Sequence, residues 1–157
     1  MKPIQKWLDE YGESHQNPLN KKIHWVCVPA IMFSIIGLFW SIPHHYMPAL
    51  YDNIQLNWAM IITIIILTFY VRLSLMMALG MFVIGFFILF GNLLVENYFV
   101  TPLWIISLYI FVIAWIGQFI GHKIEGKKPS FFQDLQFLLI GPAWLLSFVY
   151  NKIGIKY

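Results

Sequence analysis

Charged residues in this chain are almost confined to short stretches between long apolar runs. Only 11% of the 157 residues are charged and 60% are hydrophobic, whereas soluble domains carry about 25% charged residues. A chain this small cannot bury so much apolar surface in its own interior. The apolar runs cover residues 23–42, 56–71, 73–95 and 103–121, with a shorter one at 137–150. The sequence therefore predicts an all-α polytopic membrane protein, with residues 1–157 as one integral membrane domain.

Four of the apolar runs predict transmembrane helices. A spanning helix needs about 20 apolar residues, and the runs at 23–42, 73–95 and 103–121 reach that length. The run at 56–71 is shorter, but Arg72 at its end can extend its charged head to the membrane surface. We therefore expect four spans, of which the second and third form a tight hairpin that turns at Arg72.

The last apolar run has a different character from the other four. At about 14 residues, the run at 137–150 is too short for a standard span, and we expect Gly141-Pro142 to break it. The segment from Ser130 to Gln133 has the pattern of a capping box, which marks the start of a helix. Residues 131–150 are therefore predicted to form a short re-entrant or interfacial helical segment.

The N-terminal segment predicts an amphipathic helix. Its large apolar side chains fall on one helical face: Ile4, Trp7, Leu8 and Tyr11. The dipeptide Asn17-Pro18 should end this helix, because the residue before a proline avoids the helical conformation. We expect the helix to lie on the cytoplasmic membrane surface.

The distribution of basic residues predicts the orientation in the membrane. With four spans, all ten Lys and Arg residues fall on one side, which the positive-inside rule assigns to the cytoplasm. Both termini are then cytoplasmic, in a bacterial inner membrane or an endoplasmic reticulum. The cations are scattered in ones and twos and form no basic face, which argues against a nucleic-acid partner.

The predicted topology divides the five histidines into two groups. His15, His24 and His122 lie at the cytoplasmic ends of the first and fourth spans. His44 and His45 fall in the first outer loop, where we expect them to be solvated. His15 and His24 are nine residues apart and would oppose each other on a straight helix, but the predicted break between them allows them to meet. Three histidines thus converge on one membrane face.

Three imidazoles and a carboxylate form a ligand set that suits Fe(II), Zn(II) or Mn(II). The carboxylate candidate is Glu125, three residues after His122 and on the same helix face. Without a thiolate, this set fits non-haem iron and oxygen chemistry best. Asn20, Gln118 and Asp134 are candidates to fix the orientation of the imidazoles. We therefore expect a metal centre with Asn20, Gln118 and Glu125 as catalytic residues.

Two lysines lie beside the predicted metal face. Lys127 and Lys128 can simply anchor the chain at the cytoplasmic surface, and they can also attract a carboxylate at the interface. Tyr11 lies four residues before His15 and shares its face. These three residues and Asp134 are the candidate substrate-binding residues.

Two small residues are spaced one turn apart near the end of the fourth predicted span. Gly117 and Gly121 form a small-xxx-small pair, which lets a neighbouring helix approach closely. Since His122 directly follows this pair, we expect close helix packing next to the metal face.

Two ordered motifs make the chain resemble a known family. The first is Tyr11-x3-His15-x4-Asn20-x3-His24 followed by Val28-Pro29; the second is Trp115-x2-Gln118-x2-Gly121-His122, then Glu125-Gly126-x2-Pro129 and Leu139-Ile140-Gly141-Pro142. Together they resemble the small membrane 2-hydroxy fatty acid dioxygenases of phytosphingosine α-oxidation. The similarity extends over nearly the whole chain.

The resemblance implies a four-span enzyme that uses Fe(II) and O2. Such an enzyme shortens a 2-hydroxy fatty acid by one carbon with loss of CO2, at the membrane. The family histidines correspond to His15, His24 and His122, and Glu125 corresponds to the acid of a histidine-glutamate motif. Two positions depart from the family pattern: Cys27 stands where a glycine is expected, and Lys128 replaces an arginine. The second change removes a bidentate donor for carboxylate.

Other functions remain open from the residues alone. The chain can be a non-enzymatic membrane protein whose histidines are structural, which metal analysis would reveal. It can also be a Zn-dependent membrane lipid hydrolase, which would act without oxygen. A bis-histidine haem site would show in a visible spectrum. A di-iron desaturase is disfavoured, because such enzymes use more histidines than the three placed together in this chain.

Overall fold

The computed structural model describes residues 4–51, 54–126 and 137–157. Their regular secondary structure is helical apart from one short hairpin, which confirms the all-helical prediction. The six helices of the described ranges are α1 (Ile4–Glu13), α2 (Pro18–Trp40), α3 (Trp58–Leu73), α4 (Leu75–Tyr98), α5 (Leu103–Glu125) and α6 (Ile140–Ile153). Between α2 and α3, strands β1 (Ala49–Tyr51) and β2 (Ile54–Gln55) pair antiparallel. The sequence analysis did not predict this hairpin.

Capping determines where α2 begins. The Asn17 side chain accepts a hydrogen bond from the Leu19 amide at 2.9 Å, and Pro18 occupies the first helical position. The helix therefore begins at Pro18, five residues before the predicted apolar run at 23–42. Apolar composition indicates the part of a helix that meets lipid, whereas the cap determines its first residue. As predicted, α1 has ended before Asn17-Pro18.

The connection between α3 and α4 is the expected tight hairpin, displaced by two residues. Arg72 still lies in the last turn of α3, because arginine is a good helix former. The break falls at Ser74, whose backbone is extended and whose side chain accepts from the Met77 amide at 3.3 Å. Serine is a preferred N-cap residue, so it starts α4 where the chain reverses.

Three helices of the described residues are long and apolar enough to cross a membrane: α2, α4 and α5. α3 is apolar but has 16 residues, which corresponds to a length of about 24 Å. The outer surface of α4 carries exposed phenylalanines at Phe82, Phe86 and Phe87. Large exposed apolar side chains of this kind are typical of a surface that contacts lipid.

Two hydrogen bonds show how the long helices are arranged. The Asn17 amide donates to Glu125 at 2.9 Å, which joins the start of α2 to the end of α5. The Trp40 indole donates to Glu96 at 2.6 Å, which joins the end of α2 to the end of α4. The start of α4 therefore lies at the same end of the bundle as the start of α2. We call this end, where Asn17 meets Glu125, the site end.

The N-terminal helix is amphipathic as predicted, but its apolar face covers protein. Ile4, Leu8 and Tyr11 are buried, with Leu8 only 4% exposed, and α1 packs on α6. The Tyr11 and Trp144 rings lie 5.3 Å apart. α6 is an apolar partner that periodicity alone does not reveal, and the location of α1 at the cytoplasmic membrane surface stays a prediction.

The expected break at Gly141-Pro142 is wrong. These residues form the first turn of α6, which runs without interruption to Ile153. A proline in the first turn removes no intrahelical hydrogen bond, because the amides there have no helical acceptor. The predicted start of a helix at Ser130 lies outside the described residues.

The close packing predicted for Gly117 and Gly121 is confirmed. A Cβ atom at Gly117 would lie 2.6 Å from the Cys27 sulfur, and one at Gly121 would overlap the Asn20 side chain. α2 and α5 therefore approach each other at a distance that excludes larger side chains at these positions. This contact positions the histidines of the two helices.

Candidate metal centre

Three buried histidines meet at the site end of the bundle. His15 lies between α1 and α2, His24 is in α2, and His122 is in the last turn of α5. Their exposed fractions are 2%, 0% and 6%. One ring nitrogen of each lies within 4.8 Å of the others, which makes this a group able to hold a metal ion. The convergence predicted from the topology is therefore present.

Main-chain carbonyls determine which nitrogen faces the centre of the group. His15 Nδ1 lies 2.6 Å from the Tyr11 carbonyl oxygen, and His24 Nδ1 lies 2.9 Å from the Asn20 carbonyl oxygen. Since a carbonyl oxygen only accepts, these contacts assign the proton to Nδ1 in both rings. In a neutral imidazole, Nε2 then carries a lone pair.

The two remaining nitrogens face each other. His15 Nε2 and His24 Nε2 are 2.9 Å apart, and in neutral rings with protonated Nδ1 neither can donate to the other. Two opposed lone pairs at this distance repel unless a cation lies near both. Two imidazoles that bind one ion at about 2.1 Å and at a right angle have nitrogens about 3.0 Å apart. The donor set therefore fits a metal ion.

The environment of His15 favours its neutral form. Burial lowers the pKa of His15 to about 4, assisted by the neighbouring His24. A neutral imidazole is the form that binds metals, since a protonated ring has no lone pair to offer. At neutral pH, His15 is therefore in the form that can coordinate a metal ion.

Aromatic rings hold the His15 imidazole in place. The Tyr11 ring stacks on it at a centroid distance of 4.2 Å and an interplanar angle of 8°. The Trp144 ring lies 5.3 Å away on α6. Trp144 could not be predicted as part of the site, because nothing in its spacing separates it from the other tryptophans of the apolar helices.

Glu125 contacts amides rather than the group of imidazoles. Its carboxylate accepts from the Gln16 amide at 2.7 Å, the Asn17 amide at 2.9 Å and Asn20 Nδ2 at 2.9 Å. The structure thus places the carboxylate on the turn that follows His15. It ties this turn to the end of α5, and both oxygens are engaged.

The other predicted residues divide between the wall of a cavity and the packing around it. Tyr11 and Gln118 line a cavity together with His122. Asn20 orients His24 through its main-chain carbonyl, whereas its side chain contacts Glu125.

The remaining predictions have different outcomes. The candidate residues Lys127, Lys128 and Asp134 lie outside the described residues. His44 and His45 lie in the loop before β1, away from the three buried histidines, as predicted. Phe137 also lines the histidine cavity, and no signal in the sequence distinguished it from other apolar residues.

Comparison with known proteins places the chain in a family of enzymes. The family model described as "2-hydroxy-palmitic acid dioxygenase Mpo1-like" matches residues 1–153. The chain therefore belongs to the Mpo1-like family, and the predicted resemblance is confirmed. A relative from Saccharomyces cerevisiae, "2-hydroxy-palmitic acid dioxygenase MPO1", is 28% identical over 153 residues, which cover 96% of this chain and 82% of the relative. No solved structure matches the chain.

Proposed function

We propose that the protein is an Fe(II)-dependent dioxygenase of the membrane that converts a 2-hydroxy fatty acid to the fatty acid one carbon shorter, with release of CO2. The observation that carries the proposal is the pair of facing Nε2 atoms of His15 and His24, 2.9 Å apart. Membership of the Mpo1-like family supports the substrate class and the use of O2.

The proposed ligands are His15, His24 and His122, which can hold the ion through neutral imidazoles. Neutral ligands leave the positive charge of the ion uncompensated, which favours binding of an anionic 2-hydroxy carboxylate. When bound, iron supplies the binding and reduction of O2. Gln118 and Tyr11 line the cavity beside His122, where we place the substrate headgroup.

Glu125 acts as a positioning residue in this proposal. Its carboxylate holds the turn after His15 and the side chain of Asn20, so it acts on the metal through the position of the histidines. Lys127, Lys128 and Asp134 are proposed to contact the substrate carboxylate and its surroundings at the membrane face, as the sequence analysis predicts.

The overall reaction balances without an external reductant. The bond between C1 and C2 of the 2-hydroxy acid breaks, C1 leaves as CO2, and C2 becomes the carboxyl carbon of the shorter acid. The 2-hydroxy acid is oxidised and O2 is reduced, with one water formed. The buried position of the three histidines excludes bulk water from this oxidation, which limits side reactions.

Oxygen uptake by the purified protein tests the proposal. With 2-hydroxypalmitate, we expect O2 consumption to match CO2 release, to stop on chelation and to return with Fe(II). The His122→Ala variant should be inactive, whereas His45→Ala serves as the matched control and should retain activity. Full activity of His122→Ala in protein that holds no stoichiometric iron would contradict the proposal.

The alternative functions give different results in the same assay. A Zn-dependent lipid hydrolase would work without oxygen and regain activity with Zn(II) after chelation. A non-enzymatic membrane protein would bind no stoichiometric metal and consume no O2. The three buried ring nitrogens that lie within 4.8 Å of one another favour a metal site over purely structural histidines.

A further inference from the structure

A second cavity lies deeper in the bundle, between α2, α3 and α4. Of its lining residues in the described part of the chain, Thr63 is the only one with a polar side chain. The others are apolar or glycine and include Met32, Ile36, Gly85, Ile88 and Leu138. Such a lining suits a hydrocarbon chain and no charged or strongly polar ligand.

The deep cavity adjoins the histidine cavity. Met32 and Leu138 line both of them. Met32 also lines a third, more open groove between α2 and α6, whose rim residues Trp25 and Val149 are 44% and 40% exposed. Met32 therefore lies where the histidine cavity, the deep cavity and a surface groove meet. Methionine is flexible and fills irregular space, which suits a side chain at such a junction.

The cavities follow the helix axes away from the site end. Along α2, Val28 lines the histidine cavity, and Met32 and Ile36 line the deep cavity at successive turns. From His24 to Ile36 the helix rises roughly 18 Å. A long alkyl chain with its head near His24 would reach the level of Ile36 if it followed this path.

We propose that the deep cavity holds the alkyl tail of the substrate, with Met32 at the passage and Gly85 at the far end. The identity of the ligand as a 2-hydroxy fatty acid rests on the proposed function. The surface groove beside Met32 provides the lateral entrance from the lipid. In this arrangement the cavity limits the length of chain that the enzyme accepts.

Gly85 determines how much room the far end offers. A Cβ atom at this position would lie 3.2 Å from the Thr63 methyl group, so α3 and α4 are already close together there. A side chain larger than glycine would project into the cavity and shorten it. Ile88, one turn further along α4, also lines the far end, and its truncation would lengthen the cavity.

The first experiment measures chain-length preference. Gly85→Leu should lower oxygen uptake with 2-hydroxypalmitate relative to 2-hydroxyoctanoate by at least tenfold, and Ile88→Ala should shift the ratio towards longer chains. Because the ratio is measured within one preparation, it is insensitive to partial loss of folded protein. Val83→Leu, on the exposed face of α4, is the matched control. An unchanged ratio in both cavity variants would overturn the proposal.

The second experiment needs no turnover. A 2-hydroxy fatty acid with a photoreactive diazirine at its terminal carbon is bound under anaerobic conditions and irradiated, and the labelled peptides are identified. Labelling at Thr63, Gly85 or Ile88 supports the proposal. Labelling confined to exposed residues such as Phe86 and Phe87 would overturn it. If the cavity is labelled but no chain length supports oxygen uptake, the proposed reaction fails while the binding site stands.

Discussion

Two main-chain carbonyls give the histidine group its chemical character. Because the Tyr11 and Asn20 carbonyls accept hydrogen bonds from the Nδ1–H groups of His15 and His24, both Nε2 atoms present lone pairs to the same point. The Asn20 side chain, which the sequence suggested as an orienting partner, instead contacts Glu125. The orientation of these two imidazoles therefore depends on main-chain carbonyls at least as much as on neighbouring side chains.

Metal content should depend on the buried histidines and not on the histidines of the loop before β1. In His24→Ala, one of the two facing nitrogens is lost, and we expect bound iron to fall at least tenfold because one imidazole ligand and its orientation are removed. Elemental analysis of the purified protein measures this. His45→Ala, from the loop before β1, should retain the iron of the unmodified protein. Equal iron in the two variants would show that His24 is no ligand.

Removal of the Glu125 charge should loosen the turn that carries His15. In Glu125→Gln, an amide NH2 group replaces one acceptor oxygen and faces the Gln16 and Asn17 amides. Hydrogen bonds to a charged acceptor contribute about 1.5–3 kcal/mol each, and partial exposure of Glu125 reduces the effect. We expect a loss of about 1–2 kcal/mol in stability and weaker iron retention.

Thermal unfolding in detergent with and without chelator measures both effects. Lys123→Gln, an exposed residue in the same turn of α5, is the control and should change neither quantity. A Glu125→Gln variant that keeps its unfolding temperature and loses only turnover would instead assign Glu125 a catalytic role.

The sequence predicts that the three histidines meet, but it does not predict which tautomer each of them adopts. The topology was sufficient to place His15, His24 and His122 on one membrane face, because charge scarcity and helix length determine which ends meet. The contacts of Glu125 could not be predicted, because they depend on how the turn after His15 approaches the end of α5. The distance between this turn and the end of α5 depends on tertiary packing, and no local sequence pattern indicates it.

Among the helices, α2 and α5 make the contact that positions the site. A Cβ atom at Gly117 would lie 2.6 Å from the Cys27 sulfur, so one of these two positions must be small. The sequence resemblance noted a cysteine where the family usually has glycine, and Gly117 provides the space that this sulfur needs. The two residues therefore form a pair across the helix interface.

A double-mutant cycle tests this pairing. Gly117→Ala should destabilise the protein by about 1–3 kcal/mol, as overpacking does, whereas Cys27→Ala removes the sulfur and relieves the clash. The double variant should be more stable than the sum of the single effects predicts, with a coupling of at least about 0.5 kcal/mol. Chemical or thermal unfolding in detergent provides the values. Additive effects would show that the helices do not meet at these residues.

Amino-acid composition predicts some of the helix and strand boundaries and fails to predict others. The hairpin between α3 and α4 was predicted to within two residues because a single charge interrupts an apolar stretch. The start of α6 was misread at Gly141-Pro142, because the same dipeptide can break a helix or begin one. The β-hairpin after α2 has no alternating pattern in its few residues, and only the structure reveals it.

In the whole molecule, the helix ends that lie together determine how many times the chain runs from one end of the bundle to the other. Trp40 and Glu96 bring the end of α2 and the end of α4 together, away from the site end. The chain leaves α2 at this far end and enters α4 at the site end, and α3 is the helix that connects them. We propose that α3, though only 16 residues long, is the fourth span, with Arg72 at the membrane surface.

Thiol labelling tests four spans with both termini in the cytoplasm. Since Cys27 is the only cysteine, a Cys27→Ala background permits single cysteines to be placed at will. An impermeant maleimide added to intact cells should label Tyr46→Cys and Val100→Cys, which are exposed in the two far-end loops. It should label Lys152→Cys only after the membrane is permeabilised. If α3 did not cross, Val100 would lie in the cytoplasm and only Tyr46→Cys and Lys152→Cys would react from outside. That pattern would separate the ends of α2 and α4, which the Trp40–Glu96 hydrogen bond holds together.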